Sequence, residues 1–328
     1  MDERVVADYL IGLYNFRVKK IKIIIAAIVA LGLVPHFVFA ATTTTTLNPQ
    51  PLTLNAEPEK ASGFKDFVRK KGDFESAVVI DYKTKKVLYS YKPDIAWPGA
   101  SLTKLMGTMV FLDKKFSPNT VVAIKGQDEV GGGRLQVDSG STMTIKDIIY
   151  SSIVGSANNA ATAMARISGM GMKSFVAAMN KKAKTLGCKY TTYKDASGMD
   201  KNNVTTANDM VKIATAAFSI PEIRRPATTA YYKFKVRNTG VAHTIKSTNR
   251  LLLDENNGLY VTGGKTGYLD ESKNNLVFRV RPDAKSINKE LLIVVFGADV
   301  DPNDDKARLF DSASRLAKWS WLSYTWSK

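Results

Sequence analysis

Apolar side chains recur at steps of three and four along Leu102, Leu105, Met106, Met109 and Leu112, the spacing of a helix that turns one face to a core. The same period marks residues 145–154, 160–167, 172–186 and 207–218 as helices. On either side of this helical block the pattern changes to that of strands. Segments 77–81 and 86–91 flank Tyr82-Lys83-Thr84-Lys85 and read as an antiparallel hairpin. Beyond Pro226, 231–236 and 243–246 read as short strands, and 259–262, 275–280 and 291–297 as longer ones. A last helix over 306–324 gathers Leu309, Phe310, Ala313, Leu316, Ala317 and Trp321 on one face, suited to packing on a sheet. Two strands before the helices and three after them can close a single sheet. The pattern predicts an α+β (α/β sandwich) architecture: an antiparallel sheet of about five strands covered by helices, with an inserted helical subdomain and a cleft between the two.

With 328 residues, 45% of them hydrophobic, the chain can bury a large core. Its start reads differently from the rest. Lys19, Lys20 and Lys22 precede an uncharged apolar run at 23–39, and Val38-Phe39-Ala40-Ala41 has the small-residue pattern of a signal-peptidase site. Residues 1–40 are therefore expected to be a signal peptide or an N-terminal membrane anchor, which places the remainder outside the cytoplasm, on the periplasmic or cell-wall side. The Thr tract 42–46 and Asn48-Pro49-Gln50-Pro51 have little to bury, so 41–72 reads as a linker and 73–328 as the globular domain.

The net charge is +17, and beyond residue 40 it is +15, from 42 basic and 27 acidic side chains. A surface this basic favours polyanions; outside the cytoplasm these are anionic wall polymers or a membrane surface rather than nucleic acid. Cys188 is the only cysteine, which excludes an intrachain disulfide and any Cys-cluster metal site. His36 and His243 are the only histidines, so a Ser-His-Asp triad would have to use His243, which sits in a hairpin-strand pattern. The expected base of an exported hydrolase with this composition is not histidine, and no metal or other cofactor is expected.

Pro98-Gly99 lead into the first helix, placing Ser101 in its opening turn with Lys104 three residues on, on the same face. A hydroxyl and an amine so placed form a nucleophile and base pair. The spacing S-x-x-K also occurs at Ser62 with Lys65 and Ser286 with Lys289, but neither of those opens an amphipathic helix. Ser156-Ala157-Asn158 falls between helical patterns, although S-x-N recurs at Ser117, Ser247, Ser272 and Ser286. Lys265-Thr266-Gly267 occurs once. The glycines before it suggest a phosphate loop, but that motif requires glycine where Leu259 stands and a helix after Thr266.

Taken in order, Ser101-x-x-Lys104, Ser156-x-Asn158 and Lys265-Thr266-Gly267 resemble the three motifs of the penicillin-binding proteins and serine β-lactamases. The resemblance runs from about Phe74 to Trp321. It is strongest to the low-molecular-weight D-alanyl-D-alanine carboxypeptidases, through Gly133-Arg134-Leu135, Ile148-Ile149-Tyr150 and Ala196-Ser197-Gly198-Met199-Asp200. It implies a β-lactamase-like fold and a penicillin-sensitive enzyme acting on peptidoglycan stem peptides, with β-lactams as covalent inhibitors. In the implied roles Ser101 attacks, Lys104 takes its proton, Ser156 protonates the leaving amine and Asn158 orients Lys104 and the substrate amide. Lys265 and Thr266 hold the terminal carboxylate, Gly267 admits the substrate backbone, and the N–H groups of Ser101 and Tyr268 receive the oxyanion. A lysine base must be lowered by about three units from its usual value near 10.4, and Lys265 is the expected neighbouring cation. Arg308 is a second implied carboxylate partner. Between 159 and 264 the only glutamates are Glu222 and Glu255, neither in E-x-x-L-N, so the deacylating glutamate of class A β-lactamases is missing. The alternatives are a D,D-endopeptidase acting on crosslinked peptidoglycan and a wall-binding relative that no longer catalyses.

Overall fold

A computed structural model describes residues 56–254, 256–301, 303–304 and 307–326. The apolar run at 23–39, its cleavage pattern and the Thr tract lie outside the described residues; the fold belongs to the unit Thr53–Lys328. Among the described residues no helix is long and apolar enough to cross a membrane.

Along the chain come β1 (Glu59–Lys60), β2 (Ser76–Asp81) and β3 (Val87–Tyr91). The helical block follows: α1 (Thr103–Leu112), α2 (Ile145–Ile153), α3 (Asn158–Ile167), α4 (Met172–Thr185), α5 (Ala207–Ser219) and α6 (Pro221–Ala227). A small hairpin, β4 (Tyr231–Lys235) and β5 (Ala242–Lys246), precedes β6 (Tyr260–Leu269), β7 (Lys273–Arg281) and β8 (Leu291–Ala298). The chain closes with α7 (Ala307–Ser323) and β9 (Tyr324–Thr325).

Five strands form one antiparallel sheet in the order β6-β7-β8-β2-β3, so the two ends of the chain meet where β2 pairs with β8, Val78 opposite Val294. Both of these strands are buried at every position, which is why they read as continuous apolar runs. Alternate side chains serve opposite faces. Val78, Ile80, Leu292, Val294 and Phe296 enter the core shared with the helical block, whereas Ala77, Val79, Ile293 and Val295 pack on Leu309, Ala313 and Leu316 of α7. This is the α+β sandwich that the periodicity predicts.

Four local differences have physical causes. The strand expected over 259–262 continues to Leu269, because Gly263 and Gly264 are sites of close packing rather than turns: a Cβ there would lie 3.0 Å from the Phe218 ring and 2.6 Å from the Asn249 amide. Helix α6 was not expected; it starts on Pro221, whose fixed φ and absent N–H suit a first helical position. Residues 59–67, placed in the linker by composition, join the fold. Glu59 pairs with Thr325, and Phe64 and Phe67 pack edge-on against Trp319. Finally, α1 is buried on every side from Thr103 to Phe111, so Lys104, expected outside the apolar stripe, is fully enclosed.

Candidate active site

A short 3-10 turn, Ala100–Leu102, carries Ser101 into α1. Ala100 has φ +46°, an uncommon backbone state for a side-chain-bearing residue, and it holds the turn against its neighbours. One turn on, Lys104 Nζ lies 2.7 Å from Ser101 Oγ, 2.7 Å from Asn158 Oδ1 and 2.5 Å from the Ser197 carbonyl. As an ammonium Lys104 donates all three protons. Once neutral, it keeps two N–H donors for Asn158 and Ser197, and its lone pair faces Ser101, which then becomes the donor.

Asn158 opens α3, and its amide also donates to the Gly131 carbonyl at 2.8 Å. Two residues earlier Ser156 sits at φ +59°, a left-handed kink that aims its hydroxyl across the cleft at β6. There Lys265 Nζ donates to Ser156 Oγ at 2.7 Å and to the Thr266 carbonyl at 3.0 Å. Thr266 donates to the Thr248 hydroxyl at 2.7 Å. At Gly267 the strand meets the Ser101 turn so closely that a Cβ would stand 3.0 Å from the Ser101 amide nitrogen and 3.1 Å from the Gly99 carbonyl. The structure thus brings Ser101, Lys104, Ser156, Asn158, Lys265, Thr266, Gly267 and Tyr268 to one place. All but the two enclosed lysines line a cleft of about 550 Å³.

A larger hollow of about 830 Å³, between the β2–β3 hairpin and α5, mixes aliphatic and aromatic side chains with Lys85, Asp94, Lys189, Asn208 and the Lys212–Asp209 ion pair. It brings no nucleophile to a base.

Burial lowers the pKa of Lys104. The side chain is 0% exposed, and this loss of water pushes its pKa from the ordinary 10.5 down to about 7, with the charge of Asp195 opposing the shift. The expected cation effect of Lys265 is not among the causes. Lys265 is engaged with Ser156 on the opposite wall, and burial is the cause that lowers Lys104 toward a base near neutrality.

Asp195 and Thr248 join the site without a distinctive sequence signal, and Gly198, part of the 196–200 segment of the resemblance, takes a structural part in it. Asp195 accepts the N–H groups of Ser197, Gly198 and Asp200 at 2.6–2.8 Å, folding the turn that presents the Ser197 carbonyl to Lys104. Gly198, at φ +91°, packs so tightly on the Ser101 turn that a Cβ would lie 2.0 Å from the Ala100 carbonyl oxygen. Thr248 belongs to Ser247-Thr248-Asn249, one of the repeated S-x-N patterns; its only signal was that pattern. Arg308 binds the Lys71 carbonyl and Asp301, and no arginine lines the cleft. His243 stacks on Phe234 in the β4–β5 hairpin.

A sheet flanked by helices, with a serine–lysine pair under a lysine-bearing edge strand, defines a serine hydrolase of the penicillin-binding class. The sequence matches the family described as D-alanyl-D-alanine carboxypeptidase over residues 68–300, and the chain belongs to that family of serine peptidases. The D-alanyl-D-alanine endopeptidase of Pseudomonas aeruginosa is 33% identical over 246 residues, 74% of this chain and 76% of that one. The D-alanyl-D-alanine carboxypeptidase DacF of Bacillus subtilis is 30% identical over 243 residues, 72% and 60%. Among solved structures, a D-alanyl-D-alanine carboxypeptidase of Mycobacterium tuberculosis superposes with a TM-score of 0.68 over 84% of this chain and 100% of that one at 24% identity. A Streptomyces DD-transpeptidase gives 0.69 over 78% and 100% at 22%; both show a shared fold.

Proposed function

We propose that this chain is a serine-type D-alanyl-D-alanine carboxypeptidase that trims peptidoglycan stem peptides through an acyl-enzyme and is acylated by penicillin. The observation that carries the reading is the fully buried Lys104, with a pKa near 7, 2.7 Å from the Ser101 hydroxyl. Neutral Lys104 takes the proton of Ser101, whose Oγ bonds to the carbonyl carbon between the two D-alanines. The negative oxygen is received by the N–H groups of Ser101 and Tyr268. Ser156, held by Lys265, passes its proton to the leaving amine and takes back the one that Lys104 removed from Ser101, so D-alanine departs and Lys104 is neutral again. Water, deprotonated by the same lysine, then cleaves the ester. Lys265, Thr266 and Thr248 hold the terminal carboxylate, and Gly267 lets the substrate lie on the strand edge.

Fluorescent penicillin should label Ser101 alone, and a pentapeptide ending D-Ala-D-Ala should lose one alanine by mass spectrometry. A label mapped to Ser62 or Ser286 refutes the assignment. The C-terminal amide of that pentapeptide should react at least tenfold more slowly, since a lost charged hydrogen bond costs about 1.5–3 kcal/mol.

One observation favours a second reading, D,D-endopeptidase action. The relatives at 33% and 32% identity are named endopeptidases and match over 76% and 79% of their own length, whereas DacF matches over 60%. Digestion of wall fragments separates the two, because an endopeptidase removes dimers and leaves pentapeptides. The lysine-flanked apolar run and Ala40-Ala41 support export, with action on the wall side of the membrane and a mature N-terminus near Ala41. The +15 charge supports attraction to anionic wall polymers or headgroups, which should weaken with salt.

A further inference from the structure

A second cavity, about 710 Å³, lies at the other end of the same edge strand. Val261 and Thr262 of β6 line it, as do four arginines: Arg224 and Arg225 on the last turn of α6, and Arg279 and Arg281 on β7. Against them stand two carboxylates, Asp254 and Glu290. Glu290 is committed. It accepts from Arg279 at 2.8 Å, pairs with Arg281 at 3.9 Å and takes the Thr262 hydroxyl. Arg279 is only 8% exposed, and the buried Nε atoms of Arg279 and Arg281 have no hydrogen-bond acceptor. Arg224 and Arg225 are exposed, and no ion pair among the described residues engages either. The cavity therefore presents excess guanidinium charge, in the planar form that grips carboxylates in pairs of bonds.

Its position relative to the cleft assigns the ligand. In the reaction proposed above, Asn158 and Tyr268 attend the acyl half of the substrate, while Ser156, Lys265, Thr266 and Thr248 attend the leaving half. Whatever continues past the scissile bond therefore heads toward the N-terminal half of β6. Thr266 lines the cleft and Thr262, at an irregularity in the β6–β7 ladder, the cavity, four residues apart and at most ~13 Å at about 3.3 Å per residue. On the other side Thr248 lines the cleft, and Leu251 and Leu252 line the cavity. A departing D-alanine ends at Thr266. A departing stem peptide is long enough to reach the arginines, and it carries free carboxylates of its own.

We infer that this arginine-lined cavity binds the carboxylates of the stem peptide that leaves when a crosslinked D-alanyl bond is cut, giving the cleft a second, longer substrate. The inference rests on the proposed direction of the substrate in the cleft. Arg224→Ala with Arg225→Ala, at two exposed positions, should lower kcat/KM for a purified crosslinked dimer at least tenfold. Pentapeptide hydrolysis and the rate of penicillin acylation should stay within twofold. Dimers with amidated carboxylates should lose most of that sensitivity. Equal losses on both substrates, or none on either, overturn the inference. So does a wild-type enzyme that trims pentapeptide and leaves dimers intact, an outcome under which the proposed carboxypeptidase stands. Failure of penicillin to label Ser101 removes that reading and this one together. If the double variant loses retention on polyphosphate resin yet cuts dimers at the wild-type rate, the cavity holds phosphate and the inference is wrong.

Discussion

On the α1 wall of the cleft a lysine is stripped of water and given three neutral oxygens; on the β6 wall a second lysine, 1% exposed, reaches across to a serine 109 residues away in sequence. The chemistry is the same primary amine, yet the roles diverge. Lys104 is destabilised as a cation, and that destabilisation makes it a base. Lys265 is held by position, on a strand paired to β7 with Lys265 opposite Val277, and its proposed role uses the amine as a cation. Two lysines buried almost equally thus differ in what surrounds them, and the proposed roles of base and carboxylate holder rest on that difference.

The contrast can be broken most severely at the hydroxyl that Lys104 serves. Ser101→Ala should abolish penicillin labelling and reduce D-alanine release by about a thousandfold or more, read by gel fluorescence and amino-acid analysis. Lys104→Met should cost a comparable factor while leaving the protein folded. For the wild type, activity should climb as pH rises through about 7, where the amine loses its proton. Stability carries the same signature. The folded-state pKa of Lys104 lies below its unfolded value near 10.5, so between about pH 7 and 10.5 the unfolded chain binds more protons and stability rises with pH. Lys104→Met lacks that rise, and urea melts at pH 7 and 10 should show the variant's relative stability falling by a few kcal/mol.

A smaller effect is expected at Gly198, where a Cβ would strike the Ala100 carbonyl at 2.0 Å. Gly198→Ala must push the Ser101 turn or the Ser197 carbonyl out of place, and about a hundredfold loss of kcat with a lowered Tm is expected. The mildest test sharpens the comparison most. Lys265→Met should raise KM for pentapeptide about tenfold, the value of one charged hydrogen bond, and leave the ascending limb of the pH profile near 7. A limb that moves upward would show that Lys265, and not burial, tunes the base.

Much of this arrangement is legible in the sequence because two periodicities and three ordered motifs agree. Ala77 to Ile80 and Leu291 to Phe296 announce central strands by being apolar throughout, and Ser101 with Lys104 announces a site by local spacing. Other parts are written in contacts that local pattern does not encode. Gly263 and Gly264 look like a turn, and only the Phe218 ring and the Asn249 amide pressed against them explain a straight strand. Enclosure of Lys104 depends on elements packed around all sides of α1, whereas periodicity reports one face. Thr248 was hidden among repeats of a weak pattern, and Arg224, Arg225, Arg279 and Arg281 become a cluster only when α6 and β7 meet.

The clasp between β1 and β9 has a mechanical consequence. Glu59 opposes Thr325, Lys60 opposes Tyr324, and Ala61 donates to the Ser323 carbonyl at 2.9 Å, so the start of the catalytic unit is zipped to its end. A tug arriving along the chain from before residue 56 loads these few bonds one after another, as in peeling, rather than all at once. Next in line are the edge-on contacts of Phe64 and Phe67 with Trp319. Glu57 also pairs with Lys86 at 3.3 Å, and Phe67 packs edge-on against Tyr89, so part of the load passes directly to the β2–β3 hairpin. Tension at the start of the unit is thus delivered to α7 and to the β3 edge of the sheet, the edge opposite β6, where Lys265 and Thr266 stand.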